Sequence, residues 1–347
     1  MREVFVSALR ALDAGDGVAI ATVVGFRGST PRHLGARMMV WPDGAQRGTI
    51  GGGKIEEVVV AAAREVAGGA EPRVVRHHLV RDLAMCCGGA MAIAVTPAAE
   101  SRAVIAQLAA LDGTGAGGPL ILETPLDGGP FALRAVRVGD PLRNAPRVAD
   151  GALLERVGAP ERVVLFGLGH VGRALGPLLA RLGFAVTACD DGETGALAEA
   201  PAWATHVVDS FALADAERVL GGLTADDYVL IVTRDHAIDQ QLLEGLIVRE
   251  DLGYIGMIGS RGKVGRFKKR LEARGLIAGA AGAARWARVC APIGVDIGAE
   301  TPEEIAVSIA AELVAVRRQG GPPRFASSWS VDGIGRGDGL GDGLGDA

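Results

Sequence analysis

Aromatic side chains are scarce: 8 Phe, 4 Trp and 2 Tyr make up 4% of 347 residues. The core must therefore be built mostly from Val, Leu, Ile and Ala, packed between turns that the 52 glycines supply. Cysteine is equally thin. Cys86 and Cys87 are adjacent while Cys189 and Cys290 are distant, which excludes a disulfide framework and a C-x-x-C metal site. That usage fits a reducing cytoplasm. Positive charge is not in excess either: a formal charge of −5 gives no electrostatic case for nucleic acid or an anionic membrane. No apolar run reaches the ~18 residues of a membrane span. The opening "MREVFVSALRALDAGDG" reads as an amphipathic helix with scattered charge, not as a signal peptide.

What is present divides the chain. Its length is too great for one average domain, so two are expected. Residues 1–111 read as a smaller mixed α+β domain: a helix ending near Gly15, a buried strand over 17–26, a hairpin turning at Pro42-Asp43-Gly44, and a helix stopped by Gly68-Gly69. Residues 112–160 hold strand candidates among frequent Gly and Pro and read as a connecting region. From 161 to 320 strand and helix alternate, which argues for a doubly wound parallel sheet of Rossmann type in an α/β protein. Its last helix opens at Thr301 and Pro302 and closes on Arg317-Arg318. The remainder, 321–347, lacks the apolar content to fold and reads as a flexible tail.

The clearest motif is "VVLFGLGHVGRAL", four apolar residues followed by Gly167, Gly169 and Gly172. Gly167 suits a tight turn, Gly169 lets backbone approach a pyrophosphate, and Gly172 allows close helix–strand packing. The next strand ends at Asp190, placed to accept from ribose hydroxyls. No Arg or Lys stands near it in sequence to meet a 2′-phosphate, so NAD is favoured over NADP. His170 inside the loop is either a ligand contact or a solvent-facing residue. In the first domain, "RGSTPRHLGA" gathers Arg27, Ser29, Thr30 and Arg32, and "GTIGGGKIEE" joins strand to helix through Gly51, Gly52 and Gly53 before Lys54. The second resembles a phosphate cradle without P-loop spacing, and a hairpin exit with a surface lysine stays open beside it. Glu56 is a capping residue, a ligand or a base. In "MCCGG", Gly88 and Gly89 would allow close approach to the Cys87 thiol, although a buried thiol fits as well.

Taken together these strings resemble the XdhC/CoxI family of molybdoenzyme accessory proteins. The likeness runs from about 14 to 318 and rests on "GSTPR", "GTIGGG-x-x-E", "M-x-CGG", "VVLFGLGHVGRAL", "YIGMIGSRGKVGRFKKRL" and "PIGVDIGAETPEEIAVSIAAELVAVR". It implies an accessory chaperone, without turnover of its own, that binds the molybdopterin cofactor as cargo. Such a protein supports sulfuration by a cysteine desulfurase and inserts the cofactor into a molybdenum hydroxylase of the xanthine dehydrogenase type. A cytoplasmic homodimer is expected. Carried over by motif, the site comprises Ser29, Thr30, Arg32, Gly51, Gly52, Gly53, Glu56, Cys87, Gly88 and Gly89, then Gly167, Gly169, His170, Gly172 and Asp190. Gly259, Ser260 and Lys263 add a further anion-facing turn. Cys87 is the thiol to contact molybdenum or assist sulfuration; no residue is expected to hold a metal of the protein's own.

Three positions depart from the family pattern: Asp190-Asp191-Gly192 for Asp-Asp-Arg, Thr233-Arg234-Asp235 for Thr-His-Asp, and Lys54 for His or Cys. They leave the nucleotide's identity open. The competing readings are an NAD-dependent oxidoreductase, for which His236, Tyr228 and Lys263 are the available acid–base groups, and a nucleotide-sensing module.

Overall fold

Helix α1 (Arg2–Asp13) buries Val4, Phe5, Ala8 and Ala11, one face at helical spacing. It lies on a five-stranded antiparallel sheet made of β1 (Ala19–Arg27), β2 (Arg37–Val40), β3 (Gln46–Gly48), β4 (Arg73–His78) and β5 (Ala90–Pro97). The strand order is β3-β2-β1-β5-β4. Alternation along β1 sends Ala19, Ala21 and Val23 to one face, under α2 (Gly53–Ala67), and Ile20 to the other, under α1 and α4 (Arg102–Ala110). A short helix α3 (Leu79–Leu83) lies between β4 and β5. The β2–β3 turn falls at Pro42–Gly44 as read, closed by Trp41 N to Ala45 O at 2.9 Å and by Asp43 Oδ1 accepting from Ala45 N at 2.8 Å. This computed structural model describes residues 2–319 apart from 112–117, 138–139, 141–144, 194, 196 and 198–199, so the tail expected at 321–347 lies outside the described residues.

The stretch read as a connecting region carries a sheet of its own. Strands β6 (Leu120–Pro125), β7 (Ala132–Ala135), β8 (Arg147–Ala149) and β9 (Ala152–Val157) pair antiparallel in the order β7-β6-β9-β8. Its Gly and Pro residues stand in turns, and its strands are short, which is why composition suggested a linker. Leu122, Phe131 and Val157 complete the core beneath α1 and α4. Arg37 of β2 and Glu155 of β9, 4% and 2% exposed, form a two-pronged ion pair between the sheets, with Thr124 Oγ1 accepting from Arg37 at 3.0 Å.

Beyond residue 161 the chain alternates: β10 (Arg162–Phe166), α5 (His170–Arg181), β11 (Ala185–Asp190), β12 (His206–Asp209), α6 (Leu213–Leu220), β13 (Tyr228–Ile231), α7 (His236–Ile247), β14 (Tyr254–Met257), α8 (Arg261–Ala273), α9 (Gly279–Trp286), β15 (Val289–Cys290) and α10 (Pro302–Gln319). The six strands are parallel in the order β12-β11-β10-β13-β14-β15. This is the doubly wound Rossmann arrangement, in which the order reverses between β10 and β13 and a crevice opens beyond the strands' carboxyl ends. "VVLF", "YVLI" and "YIGM" are continuously apolar because each is covered on both faces. α10 opens with a capping box: Thr301 Oγ1 accepts from Glu304 N at 3.3 Å, and the Glu304 carboxylate accepts from Thr301 N at 3.0 Å. Among the described residues no helix is long and apolar enough to cross a membrane.

Candidate functional site

Three sequence-distant motifs meet at one end of the first sheet. A Cβ on Gly89 would stand 2.4 Å from the carbonyl oxygens of both Arg27 and Ser29, and one on Gly51 would stand 2.6 Å from Pro31 Cγ. A Cβ on Gly53 would stand 3.2 Å from Met85 Cε. The 28–32 loop is therefore wedged between the triple-glycine turn and the "CGG" loop, and the contacts are closest where glycine occupies the position. Gly52 and Gly53 both adopt positive φ, +72° and +70°, as the turn into α2 demands.

Glu56 holds that turn. Its carboxylate accepts from Thr49 Oγ1 at 2.7 Å, Gln46 Nε2 at 2.8 Å, Gly52 N at 2.9 Å and Ile50 N at 3.1 Å. Partial burial works against its charge, but the bonds from Thr49, Gly52, Gln46 and Ile50 outweigh it and keep the carboxyl below its usual range. Of the three roles open to Glu56, the structure shows capping. Lys54 points away to an exposed pair with Glu57 at 2.5 Å. Thr30 Oγ1 donates to Arg32 O at 3.0 Å, which tightens the loop.

Cys87 is half buried and Cys86 exposed. Burial, then the neighbouring Cys86 thiol, pushes the Cys87 thiol above its ordinary value, so the free side chain is protonated at neutral pH. Gly88 faces open space. Arg32 and His33, at the far side of the same loop, line a cavity of about 1040 Å³ together with Phe26, Leu34 and the end of β9.

At the crevice of the parallel sheet the three glycines take the geometry their spacing implies. Gly167 has φ +109°, and a Cβ there would stand 2.5 Å from Val232 O. One on Gly172 would lie 2.0 Å from Gly167 O, whereas Gly169 meets nothing within 4 Å. Gly169 thus presents bare backbone to the crevice. His170 opens α5 and is exposed. Asp190, expected to face ribose hydroxyls, has both carboxylate oxygens engaged by backbone. It is 2% exposed, and its two oxygens accept from Leu168 N at 2.8 Å and Gly192 N at 3.1 Å, so it braces the glycine loop.

A cation also stands here that sequence distance concealed. Arg234, just past β13, donates to Asp191 at 2.9 and 2.7 Å and to Glu193 at 2.6 Å. The guanidinium holds the Asp191 carboxyl below its usual range. The reasoning that favoured NAD over NADP for want of a nearby cation therefore loses its premise. Ser260 caps α8, accepting from Lys263 N at 3.2 Å, below Gly259 at φ +155°. Lys263 is 5% exposed, paired with Asp239 and 3.1 Å from Ile258 O, so its ammonium is committed inside the fold. Tyr228 begins β13, at the end remote from the crevice, and donates to buried Glu161 at 3.1 Å. Of the three acid–base groups an oxidoreductase would use, only His236 is exposed at the crevice side. Burial pushes Cys189 and Cys290 up to about 12, as suits inert core thiols.

The lining of the cavity beside Arg32 includes no residue of 167–172.

The XdhC and CoxI family profile matches residues 11–78, and that of the XdhC Rossmann domain matches 163–313. The chain is 28% identical over 318 residues to the uncharacterized protein YqeB of Escherichia coli (strain K12), covering 90% of this chain and 46% of that protein. It is 30% identical over 172 residues to a probable xanthine dehydrogenase subunit from Bacillus subtilis (strain 168), covering 48% and 46%. Identity to the molybdenum cofactor insertion chaperone PaoD of E. coli is 31% over 108 residues, covering 30% and 34%. The matched stretches span less than half the length of these curated relatives. A crystal structure described as a xanthine dehydrogenase from Bacillus halodurans shares the fold, with TM-score 0.61 and 24% identity over 92% of this chain and 98% of that one. The N-terminal sheet carries one family domain and the parallel sheet the other, and the chain belongs to the XdhC and CoxI family.

Proposed function

We propose that the chain is an accessory protein that holds a molybdenum cofactor as cargo, supports its sulfuration and passes it to a molybdenum hydroxylase of the xanthine dehydrogenase type. The observation that carries this reading is the packing of the 28–32 loop between the 51–56 turn and the 85–89 loop, the last of which carries a half-buried thiol. Those loops carry bare backbone, Arg32 and Cys87 on a braced support. A phosphorylated, thiophilic cargo needs such a set: a cation for its phosphate and a sulfur ligand for its metal. Because Cys87 is protonated when free, metal contact releases a proton and cargo binding weakens as pH falls. A cysteine desulfurase is the sulfur source in this reading, and a homodimer is the working assembly.

The oxidoreductase alternative loses support from Lys263 and Tyr228, both committed elsewhere. The test is Cys87→Ala, with molybdopterin binding and activation of a partner hydroxylase as readouts. We expect affinity to fall at least ~10-fold, or about 1.4 kcal/mol. Unchanged affinity together with unchanged activation would remove the thiol from the site. Oxidation of reduced nicotinamide by the purified protein with a small substrate would instead establish an enzyme.

A further inference from the structure

The cavity beside Arg32 has the chemistry of a ligand site in its own right. Its volume, about 1040 Å³, stands at the upper end of ordinary small-ligand sites. Phe26, at the end of β1, is 42% exposed and lies edge-on to His33 at 4.7 Å between ring centroids. In a chain this poor in aromatics, an exposed ring pair at a cavity wall is a platform for a planar ring. Four arginines line the same cavity: Arg2, Arg32, Arg156 and Arg318. Its single acidic lining residue, Glu155, is already neutralised by buried Arg37. Arg156 reaches Asp226, but Arg2 and Arg32 are exposed and enter no ion pair among the described residues. The wall is therefore positive in a protein whose net charge is −5.

We propose that this cleft, and not the glycine loop of the parallel sheet, seats a phosphorylated planar heteroaromatic ligand. Its ring lies against Phe26 and His33, and its phosphate meets Arg32 and Arg2. The inference deepens the cargo reading and rests on it. The 28–33 loop contributes Arg32 and His33 to the cleft wall and, through Ser29 and Thr30, also packs on Gly89, so one loop joins the cleft to the segment that carries Cys87. Two sources share this chemistry, a phosphorylated pterin and a purine nucleotide.

The experiment titrates a pterin phosphate, and separately NAD and AMP, into the full chain and into Phe26→Ala, Arg32→Ala and Gly169→Val. Pterin fluorescence and calorimetry give the affinities. Because Phe26 and Arg32 are exposed, the substitutions should leave the melting temperature in place; Phe26→Leu and Arg32→Lys replace them if it falls. The expected result is pterin phosphate binding weakened at least ~10-fold by the Phe26 and Arg32 changes and unaffected by Gly169→Val, with NAD showing the reverse. AMP following the cleft variants more strongly than the pterin would name a nucleotide as occupant and overturn the cargo assignment of the cleft. Pterin affinity lost only in Gly169→Val, unmoved in the cleft variants, or absent from wild type would overturn the proposal. Activation of a partner hydroxylase by wild type judges the chaperone reading separately.

Discussion

Glu56 shows how much one side chain settles about the first site. Four donors converge on its carboxylate, two of them backbone N–H groups of the turn itself. Replacing it with Ala strands those donors at a helix start, and we expect a loss of about 1–3 kcal/mol in chemical denaturation. The pH dependence has a definite sign. A carboxyl held below its unfolded value adds stability above that value and loses it as pH falls through the folded one. The stability gap between wild type and Glu56→Gln should therefore be widest near neutrality and close as pH drops below about 4. A constant gap across that range would mean that the bonds matter without the charge. Cys87 permits a further check at this scale. With its thiol raised by burial and by Cys86, alkylation by iodoacetamide at neutral pH should be slower than that of a free cysteine and quicken when Cys86 becomes Ser. Fast labelling of wild-type Cys87 would contradict a protonated side chain.

At the scale of elements, the turn between β10 and α5 depends on glycine unevenly. A methyl at 172 would collide with Gly167 O at 2.0 Å, while one at 169 would enter open space. Gly172→Ala should cost about 1–3 kcal/mol by urea unfolding, and Gly169→Ala within about 0.5 kcal/mol. Equal costs would refute the packing account of Gly172. This element was legible in the sequence because its parts are neighbours: apolar strand, glycines and helix follow one another within a few residues. So were the hairpin turn at Pro42–Gly44 and the cap at Thr301, each written in a local pattern. The sheet formed by β6 to β9 was not, since its turns supply the same Gly and Pro that mark a linker. Distance in sequence hid the rest. Arg234 meets Asp191 across 43 positions and Lys263 meets Asp239 across 24, and neither pairing leaves a trace in the motifs around it. No periodicity or spacing reports which charged residues a fold will pair.

For the whole molecule, the joint between the first two sheets and the independence of the two ligand regions are linked questions. Arg37 and Glu155 are joined across 118 positions, and the cleft's lining includes Glu155. Removing one partner leaves a buried charge uncompensated, so Glu155→Leu should cost about 3–5 kcal/mol and loosen the cleft as well. The glycine loop at 167–172 shares no residue with that lining, so independent binding at the two regions is the simplest expectation. Linkage makes this measurable in either direction, because any coupling must appear equally in both affinities. Saturating NAD should leave the affinity for a pterin phosphate within about twofold when the protein is dilute enough to be monomeric. Competition at that dilution would mean that both regions hold parts of one ligand within a single chain. Competition that appears only on raising the protein concentration would instead place the cleft of one protomer opposite the glycine loop of its partner. The shared ligand would then be long enough to span an interface, with a pterin at one end and a nucleotide at the other.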